Sequence, residues 1–335
     1  MALDIKILRL LFENYFMKKA ILLVLLIFTV FCCKNEDKVA VEIEKINVDI
    51  AVERFDRAFA AAEPKDLANL KKSFPFLFSK RIPDSVWVNR MEDTLQQQLF
   101  GEVGSEFEDF QNIEQELSAL FQHLKYYDKS FKAPRVITLT NDVDYRYPVV
   151  VTDSLVLIAL DNYLGKDHEF YANISDYLKQ DMDKNQIVVD IAEQYARRSI
   201  FPPEKSNFLE EMIYFGKILY FKDRVIPFKT DAEKIAYTKQ QLQFANLNEE
   251  MIWTHFVEKE TLFDGDDKLV TRFIAEAPFS KFYLEIDNQS PGRLGQYIGW
   301  QIVRAYMINN DVDFMQMMQT DPTEIFNKSN YKPAK

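Results

Sequence analysis

Three residue types are scarce in this sequence: glycine, cysteine and histidine. Among 335 residues there are eight glycines, two cysteines and three histidines, whereas glycine alone averages roughly 7% of residues in proteins. So few glycines exclude collagen, flexible Gly-rich linkers and Gly-rich phosphate-binding loops. Two cysteines exclude a disulfide scaffold and a four-thiolate zinc site. These absences exclude several classes of protein and assign no function.

The spacing of the histidines excludes the zinc-binding pair of an HExxH metallopeptidase. That chemistry requires two histidines four residues apart on one helix face, with a glutamate after the first as the base. The histidines are instead widely separated, at His123, His168 and His255. In the helix predicted over 186–199, one alignment with the motif puts Asp190 and Gln194 at the ligand positions and Ile191 at that of the base. The sequence therefore predicts no metal and no cofactor.

Other catalytic motifs are incomplete or missing. The chain has no Gly-x-Ser-x-Gly elbow of a serine hydrolase. The acidic loop Asp264–Asp267 lacks the rest of an EF-hand, including the glutamate at position twelve. The 52 acidic residues still offer many carboxylate pairs, which are the catalytic groups of glycosidases. No catalytic residue is predicted, and a carboxylate-dependent or metal-assisted hydrolase of peptide or cell-wall glycan stays open as the alternative function.

Residues 17–33 have the pattern of a bacterial lipoprotein signal. Two lysines precede a twelve-residue apolar run over 20–31, which is shorter than the roughly 20 residues of a bilayer span and typical of a secretory signal. Both cysteines of the chain follow that run. Bacterial lipoproteins are cleaved just before a cysteine that then carries lipid such as palmitate. Val30 at −3 and the small Cys32 at −1 favour Cys33 as the lipidated residue, with Cys32 as the alternative.

The balance of charge excludes nucleic acid as a partner. The chain holds 52 acidic and 41 basic residues, a net charge of −11, and its first 33 residues hold more bases than acids. An acidic body repels phosphate backbones and anionic lipid surfaces. The sequence therefore predicts a protein that meets the membrane through its lipid anchor only.

Hydrophobic periodicity predicts an α+β fold that is predominantly helical, with a small mixed β-sheet. Alternating apolar residues predict a strand over 46–52, and β-rich segments between 135 and 160 predict two or three more strands. Helical patterns cover most of the rest of the chain, at 64–73, 83–99, 105–127, 169–182, 186–199, 206–221, 231–245, 248–262, 267–276 and 291–309.

The chain is predicted to divide into three parts. Residues 1–33 form the signal region, whose true start is expected at Met17, where the basic segment begins. Residues 34–45 are polar and form a tether. Because glycine is scarce and no long Pro- or Ser-rich linker is present, residues 46–330 are expected to form a single globular domain.

The most organised segment is the helix predicted over 291–309. Ser290 is predicted as its N-cap and Pro291 as its first residue. Three of the eight glycines lie in this segment. Inside a helix, a glycine costs roughly 1 kcal/mol against alanine, which close approach of another backbone or a ligand would justify. One face carries large polar and aromatic side chains, namely Arg293, Tyr297, Trp300 and Arg304. We interpret that face as a partner surface or as tight packing with buried, paired arginines, and the sequence favours packing.

Seven segments combine aromatic, proline, glycine and charged residues in a distinctive order. They are Phe74–Phe78, Pro83–Trp87, Asp93–Val103, Met212–Tyr220, Phe256–Glu260, Arg272–Lys281 and Ser290–Trp300. Together they resemble the gliding-motility lipoprotein family GldB of Bacteroidota. The resemblance extends over essentially the whole mature chain and includes the lipoprotein signal.

The resemblance implies a part in gliding motility, in cells whose motility is coupled to type IX protein secretion. It implies an envelope protein, lipid-anchored and facing the periplasm, whose partners are other gliding-motility envelope proteins. The family is also distantly similar to predicted zinc peptidases with an HExxH helix. The fold is therefore expected to be a degenerate zincin-like scaffold that acts through non-catalytic contacts. The family offers no established catalytic residues, and none is carried over to this chain.

Overall fold

The computed structural model of the protein describes residues 38–202, 207–285 and 287–335. The chain separates into two units, and the boundary along the chain falls between Asn47 and Val48. In the first unit, residues 38–44 are helical. Nowhere in the described ranges is a helix long and apolar enough to cross a membrane.

The predicted signal region lies outside the described residues. The same holds for Cys33, the predicted lipidation site, and for its alternative Cys32. Both remain predictions from the sequence.

A four-stranded mixed sheet forms the β part of the second unit. Strands β1 (Val52–Arg54), β2 (Arg135–Leu139) and β4 (Leu155–Ala159) run parallel, and β3 (Val149–Val151) pairs antiparallel with β4, in the order β1-β2-β4-β3. The predicted α+β class with a small mixed sheet is confirmed. The strand predicted over 46–52 is wrong in position. It begins at Val52 because only Val52 to Arg54 have partners on β2.

The sheet is covered on both faces. Successive residues of a strand point to opposite faces, so Val136 of β2 belongs to the main hydrophobic core and Ile137 belongs to a second, smaller cluster. The smaller cluster is rich in aromatic side chains from the segment that links β1 to β2, including Phe55, Phe59, Phe78 and Phe100. Burial on both faces is typical of sheets with parallel strands.

Helices make up most of the remaining described structure. They are α1 (Phe55–Ala60), α2 (Leu67–Ser73), α3 (Asp84–Glu92), α4 (Thr94–Glu106), α5 (Gln111–Tyr127), α6 (Asp176–Lys179), α7 (Ile187–Ser199), α8 (Phe208–Val225), α9 (Asp231–Lys234), α10 (Lys239–Leu247), α11 (Glu249–Glu258), α12 (Asp267–Phe273), α13 (Leu294–Asn309), α14 (Phe314–Gln319) and α15 (Pro322–Ser329). Short 3₁₀ turns occupy Pro64–Asp66, Leu160–Asn162, Glu169–Tyr171, Lys184–Gln186 and Asp287–Gln289.

Four of the predicted helices are interrupted in the structure. The helix predicted over 105–127 begins only at Gln111, because Glu106 ends the preceding helix, and within 169–182 only the 3₁₀ turn Glu169–Tyr171 and α6 are helical. The other two break at single residues. The helix predicted over 83–99 breaks at Asp93, whose backbone is extended and whose carboxylate accepts a hydrogen bond from Gln96 N at 2.9 Å. Asp93 thereby caps the start of α4. The helix predicted over 231–245 breaks at Ala236, which has a φ of 53°. Hydrophobic periodicity continued across both breaks, so it could not locate them.

The predicted cap of α13 is wrong by three residues. Ser290 does not cap the helix, because its hydroxyl donates to Ser280 O at 3.0 Å and to Asp287 O at 2.7 Å. The residue before the helix is Arg293, which has a left-handed backbone with φ 59°. Ser280 instead accepts a hydrogen bond from Leu294 N at 3.2 Å. The first turn is therefore held by a side chain distant in sequence.

Helices α8 and α13 cross at two glycines. A Cβ on Gly299 would overlap the carbonyl oxygen of Met212, and one on Gly216 would overlap the carbonyl group of Gly299. The glycines of α13 thus permit close approach of another backbone, one of the two explanations that the sequence offered. The crossing packs α13 closely against α8, which itself packs against α7.

Candidate functional site

A pocket of about 470 Å³, called here the main pocket, is bounded by α7, α8, the start of α13 and the turn after β4. Its volume falls within the roughly 300–1,000 Å³ of small-molecule sites. The turn after β4 lies at the carboxyl end of a parallel strand, where ligands of open α/β sheets commonly bind. The main pocket is therefore the candidate site.

Helix α7 supplies polar groups to the main pocket because it has two distinct faces. Its apolar residues are buried, namely Ile187, Val188, Val189, Ile191, Ala192 and Ala196. Polar residues spaced along the other face line the pocket, namely Asp190, Glu193, Gln194 and Arg197. The spacing of three and four residues places them on the same side of a helix.

Asp190 is held by one hydrogen bond in a desolvated position. The Tyr163 hydroxyl donates to its carboxylate at 2.7 Å. Burial raises the pKa of Asp190 to about 7, although the hydrogen bond from Tyr163 and the charge of Lys222 oppose that rise. Burial, together with the charge of Asp190, also raises the pKa of Tyr163. Asp190 can therefore exchange a proton near neutral pH.

Asp181 is a second carboxyl in the same pocket. It precedes the 3₁₀ turn that leads into α7. Burial raises its pKa to about 6, with the charge of Arg293 opposing the rise and that of Glu276 adding to it. Among the described residues, neither Asp181 nor Asp190 forms an ion pair. Two acids of this pocket thus lack a cationic partner.

Glu193 behaves in the opposite way because it has two cationic partners. Lys222 Nζ lies 2.7 Å from one carboxylate oxygen and Arg197 lies 2.7 Å from the other. Burial by itself would raise the pKa of Glu193, but the charges and hydrogen bonds of Lys222 and Arg197 outweigh it and lower the pKa to about 2. The main pocket therefore contains carboxyls with widely separated acidities.

Two polar side chains in the wall of the main pocket have oxygens without a hydrogen-bond partner. They are Asn162, 1% exposed, and Gln186, 8% exposed. Asn162 Nδ2 donates to Asn141 Oδ1 at 2.8 Å and to Ala159 O at 3.3 Å. If the amide O and N of Asn162 were exchanged, the oxygen would face Asn141 Oδ1 and Ala159 O, which are both acceptors. The orientation is therefore fixed, and Oδ1 is the atom without a donor. Buried polar atoms in this state are few in native proteins.

A loop beside the main pocket is fastened to a buried carboxylate. Asp161 accepts hydrogen bonds from Asn141 N at 3.1 Å and from Val143 N at 2.8 Å. Val143 has a φ of 57°, which is strained for a β-branched residue. Burial raises the pKa of Asp161 to about 6, although these backbone donors oppose the rise. The loop carries Tyr145 to the pocket wall.

Of the four residues that the sequence placed on one face of the 291–309 helix, the structure keeps Trp300 and Arg304 together and gives Arg293 and Tyr297 other partners. Arg293 lines the main pocket, donates to Ala236 O at 2.9 Å and lies over the Tyr237 ring. Tyr297 and Trp300 are buried. The Tyr297 hydroxyl lies within hydrogen-bond distance of two acceptors, Asn246 Oδ1 at 2.8 Å and Glu249 Oε2 at 2.9 Å.

Arg304 and Trp300 converge on Asp223. The Asp223 carboxylate accepts from Trp300 Nε1 at 2.9 Å, from Arg304 Nε at 2.8 Å and from Lys234 Nζ at 2.9 Å. The guanidinium of Arg304 stacks 3.7 Å from the Trp300 ring centroid and also donates to Asp231. These contacts join α13 to α8 and α9. A part for these side chains in partner binding stays a prediction.

The residues at the metallopeptidase positions do not make a zinc site. Asp190 and Gln194 both line the main pocket. The two residues that the HExxH alignment put at the ligand positions therefore lie on the side of α7 that faces a cavity. A catalytic zinc takes three protein ligands with imidazole, carboxylate or thiolate donors. In the part of the chain that the structure describes, no group of three or more such side chains is placed to hold a metal ion. We therefore derive no metal chemistry for this pocket.

Sequence reasoning missed most of the pocket. It named Asp190 and Arg293 but not Asp181, Tyr163 or Asn162. A signal existed for the last two, because Asp161, Asn162 and Tyr163 follow the apolar run of β4 directly, and polar residues at the carboxyl end of a parallel strand commonly border a ligand site. Asp181 lies in a short irregular segment with no comparable pattern.

The comparison with known families gives a match over nearly the full described chain. The family model of the gliding motility protein GldB, a lipoprotein family, matches residues 36–333. No curated protein and no solved structure matches the chain.

Proposed function

The chain belongs to the GldB family of gliding motility proteins, and from this membership we propose that it is an envelope lipoprotein that supports the gliding and type IX secretion machinery through non-catalytic protein contacts. The family match is the observation that carries the proposal. It extends over residues 36–333 and so includes the sheet, the helical core and the main pocket. The proposed partners are other gliding-motility envelope proteins.

Two observations support the non-catalytic part of the proposal. In the alignment with the HExxH motif considered from the sequence, Asp190 and Gln194 of α7 take the positions of the two histidines, and both line the main pocket. The cations of the pocket are engaged in the fold, since Lys222 binds Glu193 and also donates to Lys234 O at 3.0 Å. A scaffold whose charged groups hold neighbouring helices together is suited to presenting a stable surface.

Deletion of the gene, followed by complementation, tests the proposed role. The deletion strain should lose colony spreading, and secretion of a type IX reporter should fall. The wild-type gene should restore both. A deletion strain that spreads and secretes normally would contradict the proposal. Crosslinking in intact cells, followed by purification under denaturing conditions, should then recover envelope proteins of the same machinery.

A carboxylate-dependent hydrolase is a second candidate, favoured by one specific observation. The main pocket holds Asp190, whose pKa burial raises to about 7, and Glu193, whose pKa falls to about 2 because Lys222 and Arg197 outweigh burial. Carboxyls whose environments separate their pKa values are the usual arrangement for an acid and a base. The substrate class proposed for this activity is peptide or cell-wall glycan.

Incubation with peptidoglycan fragments and with a peptide library distinguishes the two candidates. The non-catalytic role predicts no turnover by the purified full chain, and D190N should complement spreading as well as wild type. Turnover that D190N abolishes, together with failure of D190N to complement, would favour the hydrolase.

A further inference from the structure

The main pocket contains more hydrogen-bond acceptors than the protein itself satisfies. Asp190 has one donor, the Tyr163 hydroxyl at 2.7 Å. Asp181 has no ion pair among the described residues. The amide oxygens of Asn162 and Gln186 accept no hydrogen bond. Because buried acceptors without a donor are costly, this set of oxygens favours an occupant that brings donors.

The cations around the main pocket are already engaged. Lys222 and Arg197 both bind Glu193. Lys234 binds Asp223 at 2.9 Å, and Arg146 binds Asp144 at 2.7 Å.

The remaining cation, Arg293, donates to Ala236 O and lies over the Tyr237 ring. Arg293 thus has no acidic partner among the described residues, but three carboxyls that line the pocket also form no ion pair there, namely Asp181, Asp190 and Glu276. These acids outnumber the one cation, which favours a cationic ligand over an anionic one.

We propose that the main pocket binds a small organic molecule through a primary ammonium group, with Asp190 and Asp181 as the charged acceptors. An ammonium group has three donors and no acceptor, which matches a wall of unpaired oxygens. The volume of about 470 Å³ suits a molecule the size of an amino sugar or an aliphatic diamine. This inference goes beyond the proposed role in protein contacts, because it concerns a ligand inside the fold.

Proton linkage gives the proposal a second, independent signature. Asp190 faces Tyr163, Asp181, Lys222 and Glu193, and Asp181 faces Arg293, Glu276 and Glu193. Burial raises the pKa of Asp190 to about 7 and that of Asp181 to about 6. An ammonium ligand requires both carboxyls ionised, so binding should release protons. For an amine that stays protonated over this range, we expect affinity to be about a hundredfold higher near pH 7.5 than near pH 5.5.

Calorimetric titration of the full chain, purified in detergent, tests the proposal with two matched pairs of probes. Glucosamine is compared with glucose, and cadaverine with 1,5-pentanediol. Binding of either amine at least about tenfold tighter than its neutral partner supports the proposal, and the tighter pair identifies the amine as sugar-like or aliphatic. Equal binding within both pairs, or no binding of any probe at millimolar concentration, would overturn it. Mg²⁺ that binds and excludes the amines would also overturn it.

Substitutions connect the binding to the carboxyls named above. D190N keeps the shape of the side chain and an acceptor for the Tyr163 hydroxyl, so it should fold, and it should weaken amine binding about tenfold or more. Asp181→Asn is a second variant with the same expectation.

The matched control is Asp153→Asn, a carboxyl that is 93% exposed and outside the main pocket, and it should bind like wild type. Folding of every variant is checked by thermal unfolding. If folded D190N and D181N both bind amines as wild type does, the assignment is refuted.

Discussion

Asp190 is partly buried on the pocket side of α7, and Tyr163 is the one hydrogen-bond donor to its carboxylate among the residues that the structure describes. Burial raises its pKa to about 7, against an ordinary value of 3.8. Such a carboxyl weakens the fold whenever it is ionised. Groups that cost stability are concentrated at functional sites, where replacing them stabilises a protein at the expense of function.

The D190N variant should therefore be more stable than wild type at alkaline pH. Between about pH 4 and 7 the folded state binds more protons at Asp190 than the unfolded chain does, so this carboxyl's contribution to stability falls as the pH rises through that window. Asparagine removes the effect. The difference in free energy of unfolding should be small near pH 4 and reach at most about 4 kcal/mol near pH 8.

Urea denaturation of D190N and wild type across this pH range measures the difference. D153N serves as the control and should follow wild type. A D190N variant that is less stable than wild type at pH 8 would contradict the assignment of Asp190 as a destabilising carboxyl.

Asp223 is the opposite kind of residue, a carboxylate that holds the fold together. Asp223→Asn leaves Lys234 and Arg304 partly buried without a full counter-charge, and we expect a loss of about 3–5 kcal/mol in the free energy of unfolding. Chemical denaturation monitored by circular dichroism measures this loss.

Glu324→Gln is the matched control for Asp223→Asn. It removes the exposed pair with Lys328 and should change stability little, because exposed ion pairs contribute little. Equal losses in the free energy of unfolding for the two substitutions would show that Asp223 stabilises the fold no more than an exposed ion pair does.

At the scale of elements, the crossing of α8 and α13 organises the region around the main pocket. Gly216 and Gly299 bring the two backbones together. The crossing positions Lys222 of α8 to bind Glu193 of α7 and positions the start of α13 so that Arg293 reaches the pocket. A change at the crossing should therefore reach the pocket without touching any residue that lines it.

Gly299→Ala should be strongly destabilising, because its Cβ would overlap the backbone of Met212 and neither helix can yield locally. We expect a loss of about 3 kcal/mol or more, in the range of overpacked cores and strained backbones. Gly101→Ala is the matched control on α4, where an added Cβ meets nothing within 4 Å. That variant should gain about 0.5–1 kcal/mol from helix propensity. Thermal unfolding of both variants measures these changes in stability. A Gly299→Ala variant as stable as wild type would refute the close crossing of the two backbones.

At the scale of the whole molecule, family membership assigns a part in gliding motility, and the sequence predicts how the chain reaches its place of action. The predicted lipid anchor precedes the second unit, Val48–Lys335. The expectation of envelope attachment depends on Cys33, with Cys32 as the alternative.

Cys33→Ala should abolish lipidation, whereas Cys32→Ala should preserve it, because alanine is also a small residue at −1. Metabolic labelling with a palmitate analogue and detergent phase partition measure the outcome. Loss of labelling in the Cys32 variant alone would move the lipidated residue to Cys32.

The amino-acid pattern by itself determined the fold class, the family and the predicted lipoprotein signal. These depend on local composition and periodicity, such as the apolar run before Cys32 and Cys33 and the β-rich segments between 135 and 160. Periodicity also identified α7, but it could not show that Asp190 and Gln194 face a cavity.

The tertiary structure decided which polar residues meet. Asp181 and the adjacent pair Asn162 and Tyr163 come from separate segments, and the return of the chain through α6 into α7 brings them together with Asp190. It also decided that the helix after Ser290 begins at Leu294, since its first turn depends on Ser280. Burial, and therefore the pKa of a carboxyl and its need for a partner, is a property of the assembled fold, because the surrounding atoms come from residues far apart along the chain.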